Sequence, residues 1–185
     1  MRLVVALCVC LSSPAVLLGE RPTGHDLHLR VLSRSIETLL DISMQRSAII
    51  RSLVDRLNDS DVFVYLDFDS SARLNIVGRT TFMTKTAGRR YIRVGISGAQ
   101  TRDLQIAVLG HELQHAVEIA DAYEVVDVAT LKAFYKRSGF ERGCGTTSCF
   151  DSDRAIDTGR RVWREITATA SRPQPRARPS DAADR

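Results

Sequence analysis

The chain has 185 residues, of which 44% are hydrophobic and 26% are charged, a balance typical of a soluble globular domain. This composition excludes a chain that is disordered throughout, and the single long apolar run excludes a membrane protein with several spans. The formal net charge is +4, but five of the 26 basic side chains and only two of the 22 acidic ones lie outside residues 20–171. The body of the chain is therefore nearly neutral and shows no basic face that would bind nucleic acid.

Residues 1–19 have the form of a secretory signal peptide. Arg2 is followed by an uncharged, mainly apolar stretch from Leu3 to Gly19, which ends at Glu20. An uncleaved N-terminal anchor is the alternative, because this stretch approaches the length of a membrane span. Both interpretations predict a secreted or periplasmic domain, and only an uncleaved segment would hold it at a membrane.

The folded domain is predicted to span residues 23–170, and residues 171–185 are predicted to form a disordered tail. No proline occurs from Thr23 to Arg172, whereas three prolines follow within the next seven residues. A tail rich in proline, arginine and serine has no apolar face to bury, so it is not expected to fold.

Cys144 and Cys149 are the two cysteines that remain once residues 1–19 are set aside. In an exported protein, two cysteines this close in sequence most simply form one disulfide that closes a short loop. Two free thiols and half of a metal site are the alternatives. The metal site is disfavoured because no histidine lies near the pair in sequence.

The first element of the domain is predicted to be helical over residues 26–57. Ile49, Leu53 and Leu57 recur at a spacing that forms one apolar stripe, and Ser47 suits the start of that stripe. This stripe predicts a helix that packs against the core of the domain.

Three strands and three further helices are predicted after this helix. Runs of β-branched and aromatic residues predict strands at 62–68, 73–84 and 90–96. Helices are predicted at 101–122, 128–138 and 151–167. The short connections between the strands favour a three-stranded antiparallel meander, which packs against the helices in an α+β fold.

The predicted helix at 101–122 carries the motif His-Glu-x-x-His, as His111-Glu112-Leu113-Gln114-His115. Its histidines are four residues apart, so on a helix they project from one face and both imidazoles reach one metal ion. Glu112 lies beside them, where a carboxylate can take a proton from a water molecule activated by the metal. Zn²⁺ suits this role because it lowers the pKa of water towards about 7.

The motif helix is apolar around nearly its whole circumference, which predicts burial on both sides. Buried histidine and glutamate side chains need partners, because an unpaired buried charge is costly. A metal ion is one such partner. The alternative is a core helix without a metal, whose histidines are satisfied by carbonyl or carboxylate groups.

Residues 108–117 resemble the active-site helix of the zincin metallopeptidases. Val108, the uncharged residues around His115 and the absence of proline fit the stricter form of that motif. The resemblance implies zinc-dependent hydrolysis of peptide bonds, with His111 and His115 as zinc ligands and Glu112 as the general base. It also implies that a peptide or protein substrate lies along the strand before the helix, paired with it through the backbone.

The third zinc ligand lies outside the motif. The metzincin subgroup is excluded because it requires a further histidine, and none follows His115. A gluzincin-like arrangement takes a carboxylate from a later helix, which implies Asp151 as the first candidate and Asp153 as the next. Asp157 is then a candidate partner for a histidine. Asp151 equally suits the N-cap of the last helix.

Four other side chains near the motif are also candidates for roles in the site. Glu118 and Asp121 are alternative ligands on the motif helix, and for Glu118 a contact behind a histidine is favoured over direct binding. Tyr123 and Tyr135 are candidate hydrogen-bond donors to a developing oxyanion.

The sequence therefore predicts an exported zinc peptidase of zincin type. The alternative is a non-catalytic exported domain that keeps a zincin-like core and binds a metal or a partner. This alternative arises from size, because about 150 folded residues leave little chain for a second subdomain around a substrate cleft.

Overall fold

The computed structural model describes residues 28–69, 77–144 and 147–170. The predicted signal peptide and tail lie outside these residues, as do residues 73–76 of the second predicted strand. The described residues form a mixed α/β fold of five helices and two sheets. The strands are β1 (Leu29–Val31), β2 (Val62–Phe68), β3 (Gly78–Thr86), β4 (Arg89–Ile96), β5 (Phe140–Cys144) and β6 (Thr147–Asp151). The helices are α1 (Arg34–Arg46), α2 (Ala48–Asn58), α3 (Arg102–Asp121), α4 (Val128–Ser138) and α5 (Asp153–Ala170).

The main sheet is mixed and has four strands in the order β1-β2-β4-β3. β4 pairs in parallel with β2 and antiparallel with β3, so the predicted antiparallel meander is wrong. The physical reason is burial, because Ile92, Val94 and Ile96 of β4 are fully buried whereas β3 is polar and largely exposed. An apolar strand gains most from a central position, and a polar strand is tolerated at the edge.

A two-residue turn closes the hairpin between β3 and β4. Ala87 and Gly88 connect the two strands, and their φ angles are positive, at 49° and 75°. A type I′ turn requires two residues of this kind, and its twist matches that of the flanking strands. The resulting register pairs Thr80 with Val94, which places the Thr80 side chain on the buried face of the sheet.

The predicted helix at 26–57 is wrong in its first part and correct in most of the rest. Residues Leu29–Val31 form β1, which pairs in parallel with β2, and the helical part divides into α1 and α2 at Ser47. The Ser47 side chain accepts a hydrogen bond from the amide of Ile50, so it caps α2 as predicted. A strand of three residues was missed because it carries too little periodicity to be recognised.

α3 is enclosed by other elements of the fold. It packs against the main sheet, α1 and α2, and also against α5. Fifteen of its twenty residues are buried, which confirms the burial predicted from its apolar circumference. Among the described residues, no helix combines the length and the apolar character that crossing a membrane requires.

Arg90 is the largest fully buried side chain of the described residues. Its guanidinium donates hydrogen bonds to both carboxylate oxygens of Asp61, at 2.5 and 2.8 Å. It also donates to the carbonyl oxygens of Ile119 and Ala122, at 2.6 and 2.7 Å. These carbonyls end α3, so Arg90 satisfies acceptors that the helix leaves open and lies at the negative end of its dipole.

Asp61→Asn is expected to lower the free energy of unfolding by about 2 kcal/mol at neutral pH, because it removes the charge that faces a buried guanidinium. The hydrogen bond from Arg90 lowers the pKa of Asp61 below its ordinary value of 3.8. A lowered folded-state pKa contributes stability that is present above the unfolded pKa and lost as the pH falls through the folded pKa. The difference between the two proteins should therefore shrink below about pH 4.

Urea-induced unfolding at neutral pH and at about pH 3 measures this difference, with EDTA present so that bound metal does not contribute. Asp59→Asn, at an exposed aspartate two residues earlier, is the matched control. It should change the free energy of unfolding by less than about 0.5 kcal/mol at either pH. An equal loss for Asp61→Asn at both pH values would show that the ion pair is not responsible.

Candidate metal centre

α3 places its two histidines on the face that meets α5 and the β5–β6 hairpin. The His115 side chain is buried and that of His111 is 23% exposed. A Cβ added at Gly159 of α5 would lie 3.2 Å from Cβ of His111, and one at Gly110 would lie 2.7 Å from a methyl group of Val162. The two glycines therefore let α5 approach α3 closely at the level of the histidines.

Asp151 reaches the histidines from the end of β6. The antiparallel pairing of β5 with β6 presents it immediately before α5. Its Oδ1 atom lies 3.3 Å from Nε2 of His111 and 3.4 Å from Nε2 of His115. The alternative that Asp151 caps the helix is wrong, because the Ser152 hydroxyl accepts the hydrogen bond from the Ala155 amide that starts α5.

His111, His115 and Asp151 form a group that could hold a metal ion, with donor atoms that all lie within 4.8 Å of one another. The oxygen–nitrogen separations of 3.3 and 3.4 Å are longer than the roughly 2.8 Å of a charge-assisted hydrogen bond. Two ligands about 2.1 Å from one tetrahedral ion lie about 3.4 Å apart. The separations from Asp151 therefore suit ligands that share an ion.

The buried Glu118 carboxylate holds His115 from behind. Its Oε2 atom accepts hydrogen bonds of 3.0 Å from Nδ1 of His115 and from the Tyr135 hydroxyl. Its Oε1 atom accepts a hydrogen bond of 2.7 Å from the Ser152 hydroxyl. Nδ1 of His115 is thus engaged by Glu118, and Nε2 is the nitrogen on the side of Asp151, where a metal ion can replace a proton. A carboxylate in this position fixes the tautomer and the orientation of a metal-binding histidine.

The charges at this site favour a bound cation. Burial acts to lower the pKa of His115, but the carboxylates of Asp151 and Glu118 outweigh it and raise that pKa to about 9. Burial acts to raise the pKa of Asp151, but its interactions with His111 and His115 hold the pKa well below its usual range. The pKa of Glu118 is also lowered against its burial, chiefly by the hydrogen bond from His115. Two carboxylates are therefore held ionised here, and their charge is compensated by the imidazoles or by a metal ion bound in place of the imidazole protons.

Glu112 lies between the histidines and the edge strand β3. Its side chain is buried, and its Oε2 atom accepts a hydrogen bond of 2.7 Å from the Thr80 hydroxyl. A Cβ added at Gly78 would lie 2.5 Å from Oε1 of Glu112 and 2.5 Å from a methyl group of Val108. Thr80 and Gly78 together therefore fix where this carboxylate lies.

One cavity of about 1180 Å³ is shared by these groups. His111, Glu112, His115 and Asp151 all line it, and the remaining walls come mainly from β3, α4 and α5. This volume is at the upper end of the range of small-molecule sites, which is about 300–1,000 Å³. The cavity has room for a ligand as large as several residues of a peptide.

In the zinc hydrolase that the sequence predicts, Gly78→Ala is expected to reduce activity about a hundredfold without loss of metal binding, because the added methyl group displaces the Glu112 carboxylate. None of the metal-binding candidates contacts Gly78, so metal content should stay at the wild-type level. Gly98→Ala is the control, since a Cβ there makes only an ordinary contact of 3.8 Å with Phe68. Steady-state kinetics and elemental analysis on both variants measure the effect, and full activity in Gly78→Ala would contradict it.

The other predicted carboxylates lie away from the histidines. Asp121 accepts two hydrogen bonds from Arg56, at 2.7 and 2.8 Å. Asp157 is exposed and lies 3.9 Å from Arg161, and Asp153 is exposed in the first turn of α5. Among the candidate third ligands, Asp151 is the carboxylate that lies in one group with His111 and His115.

The two predicted tyrosines have different surroundings. The Tyr135 hydroxyl is buried and donates to Glu118, and burial and that carboxylate raise its pKa so that it stays protonated. Tyr123 is 79% exposed, and its ring lies 5.8 Å from the Arg90 guanidinium, outside the cavity lining. The Tyr135 hydroxyl also lies 2.8 Å from Nδ1 of His115, so Tyr135 supports that ring both directly and through Glu118.

Three contacts of the site were not predicted from the sequence, namely those of Thr80, Arg142 and Ser152. Nε of Arg142 lies 3.2 Å from Oδ2 of Asp151, on the side away from the histidines. The position of Ser152 before a helix was a signal for an N-cap, but its bond to Glu118 spans two distant segments. No local pattern links Thr80 or Arg142 to the motif. Cys144 and Cys149 lie on the paired strands β5 and β6, and their disulfide stays a prediction.

Comparison with known proteins adds no family, since no protein-family model, no curated protein and no solved structure matches this chain. A functional assignment therefore depends on the chemistry of four side chains. Two imidazoles and one carboxylate converge on a point, and a second carboxylate on the same helix lines the same cavity.

Proposed function

We propose that this protein is an exported zinc-dependent peptidase of zincin type. His111, His115 and Asp151 hold the ion, and Glu112 is the general base. The observation that carries this proposal is the position of Oδ1 of Asp151, 3.3 and 3.4 Å from the two Nε2 atoms. Asp151 lies far beyond His115 in sequence, so helix periodicity alone does not bring them together.

The donor set supports zinc. Two imidazole nitrogens and one carboxylate oxygen are a common set in catalytic zinc sites, where a fourth position stays open for water or substrate. Calcium and magnesium prefer oxygen ligands alone. When bound, zinc supplies a Lewis acid that lowers the pKa of water towards about 7. Glu118 and Tyr135 add support because they leave Nε2 of His115 as the donor atom.

Glu112 is the residue that transfers the proton. The Thr80 hydroxyl donates a hydrogen bond to Oε2 of Glu112, so Oε1 is left to accept a proton from the attacking water. The same carboxylate can then give this proton to the amine nitrogen that leaves the cleaved peptide bond. The Thr80 hydrogen bond holds the carboxylate in place between these two steps.

β3 is suited to hold the substrate. It is the last strand of the main sheet, and its residues from Gly78 to Phe82 line the cavity. The outer backbone groups of an edge strand bind an extended peptide as an added strand. A peptide bound in this way would pass Glu112, because Thr80 of β3 contacts that carboxylate directly.

The proposal is tested by measuring metal content and peptide turnover on the same preparation. Protein purified without added metal should contain one zinc ion per chain and hydrolyse members of a mixed peptide library. A chelator should abolish hydrolysis until zinc is returned. One zinc ion per chain without turnover of any peptide would favour the non-catalytic metal-binding domain. A protein that contains no metal and takes up none would overturn both.

A further inference from the structure

Besides Arg142, which pairs with Asp151, four basic side chains line the cavity that contains the candidate metal centre. Arg79 comes from β3, Lys132 from α4, and Arg160 and Arg164 from α5. All four are exposed and line the cavity. Cations therefore face a bound ligand from three different elements of the fold.

Acidic side chains in the cavity do not balance this charge. Among the described residues, Glu112 and Asp151 are the acids that line it, and both are buried. Thr80 binds one of them, and the two histidines lie against the other. Within the same part of the chain, none of the four exposed cations forms an ion pair. The body of the chain is nearly neutral, so this concentration of unpaired positive charge is local.

The cavity also exposes apolar surface. Three of its lining residues are apolar and exposed: Val77 (39%), Val128 (50%) and Trp163 (41%). These side chains give the cavity apolar surface that a ligand can cover. Apolar surface with cations around it complements a ligand that has an apolar centre and anionic flanks.

We propose that the cavity selects peptides that carry aspartate or glutamate on both sides of an apolar residue near the cleaved bond. This inference rests on the proposed function and adds the substrate class to it. Exposed charge pairs contribute modestly, so two acidic flanking residues should raise kcat/KM about threefold to tenfold over neutral ones. Salt screens exposed charges, so the preference should weaken as the ionic strength rises.

Three matched peptides test the preference. They share one apolar residue at the centre, which is flanked by glutamate in the first peptide, glutamine in the second and lysine in the third. Zinc-loaded protein is assayed for kcat/KM with each peptide at low and high salt. Binding is measured separately by fluorescence anisotropy with zinc-loaded Glu112→Gln, which requires no hydrolysis. Two double variants of α5 are assayed with the same peptides. Arg160→Glu with Arg164→Glu reverses two charges of the cavity. Arg154→Glu with Arg161→Glu reverses two charges of a different groove and is the control.

We expect the glutamate peptide to be preferred over the glutamine peptide, and the lysine peptide to be the poorest, in both cleavage and binding. The order should weaken at high salt and disappear in the cavity double variant, but not in the other one. Equal cleavage of the three peptides, or a preference for lysine, would overturn the inference and leave the proposed function standing. If neither these peptides nor any member of the mixed library is cleaved, the proposed function fails. Equal binding of the three peptides by zinc-loaded Glu112→Gln would overturn the inference separately.

Discussion

Glu112→Gln is expected to lower kcat about a thousandfold and to leave one zinc ion per chain. The glutamine side chain has the same size and can still accept the hydrogen bond of 2.7 Å that Thr80 donates. It cannot accept a proton, so the step that activates water is lost. Glu112 is outside the group of three donor atoms, so its replacement removes no metal ligand. Steady-state kinetics and elemental analysis on one preparation measure both effects.

Two neighbouring carboxylates provide controls for Glu112→Gln. Glu118→Gln removes the charge behind His115, and it should weaken zinc binding about tenfold to a hundredfold. Glu124→Gln changes an exposed residue paired with Arg137 and should affect neither quantity. Wild-type activity in Glu112→Gln would reject the mechanism. Loss of zinc in that variant would instead make Glu112 a ligand.

Asp151→Ala is expected to weaken zinc binding by more than about a hundredfold. It removes the only carboxylate oxygen of the group of three donor atoms, and two imidazoles on one helix remain. The substitution also removes the ion-pair partner of Arg142. The resulting loss of folding stability should be small, because the Arg142 side chain is 59% exposed. Competition with a chromophoric chelator measures the affinity for zinc. Thermal unfolding in EDTA shows whether the metal-free fold is retained.

Asp153→Ala is the matched control for Asp151→Ala. Asp153 lies two residues further along, is exposed in the first turn of α5, and was the next candidate from the sequence. Its removal should leave the affinity for zinc unchanged. If Asp151→Ala bound zinc as tightly as wild type, Asp151 would not be the third ligand. Weaker zinc binding by Asp153→Ala would then identify Asp153 as that ligand.

The sequence by itself determined the local features of this protein. The spacing of His111 and His115 specifies one helix face, and the apolar residues around them specify burial on both sides. Ser47 starts α2 by accepting a hydrogen bond from the amide three residues further on. Each feature depends on contacts within about one turn of chain, which a short window of sequence contains.

Only the tertiary structure decided the sheet order and the partners of the histidines. β4 separates β2 from β3 because of how much apolar surface each strand buries, and this depends on the whole sheet. Asp151 lies beside the imidazoles, whereas Asp153 and Asp157 do not, because the β5–β6 hairpin places the last residue of β6 next to α3. Arg90 likewise binds carbonyls about thirty residues away. Such contacts join segments that are distant in sequence, so their geometry is set by packing and not by local periodicity.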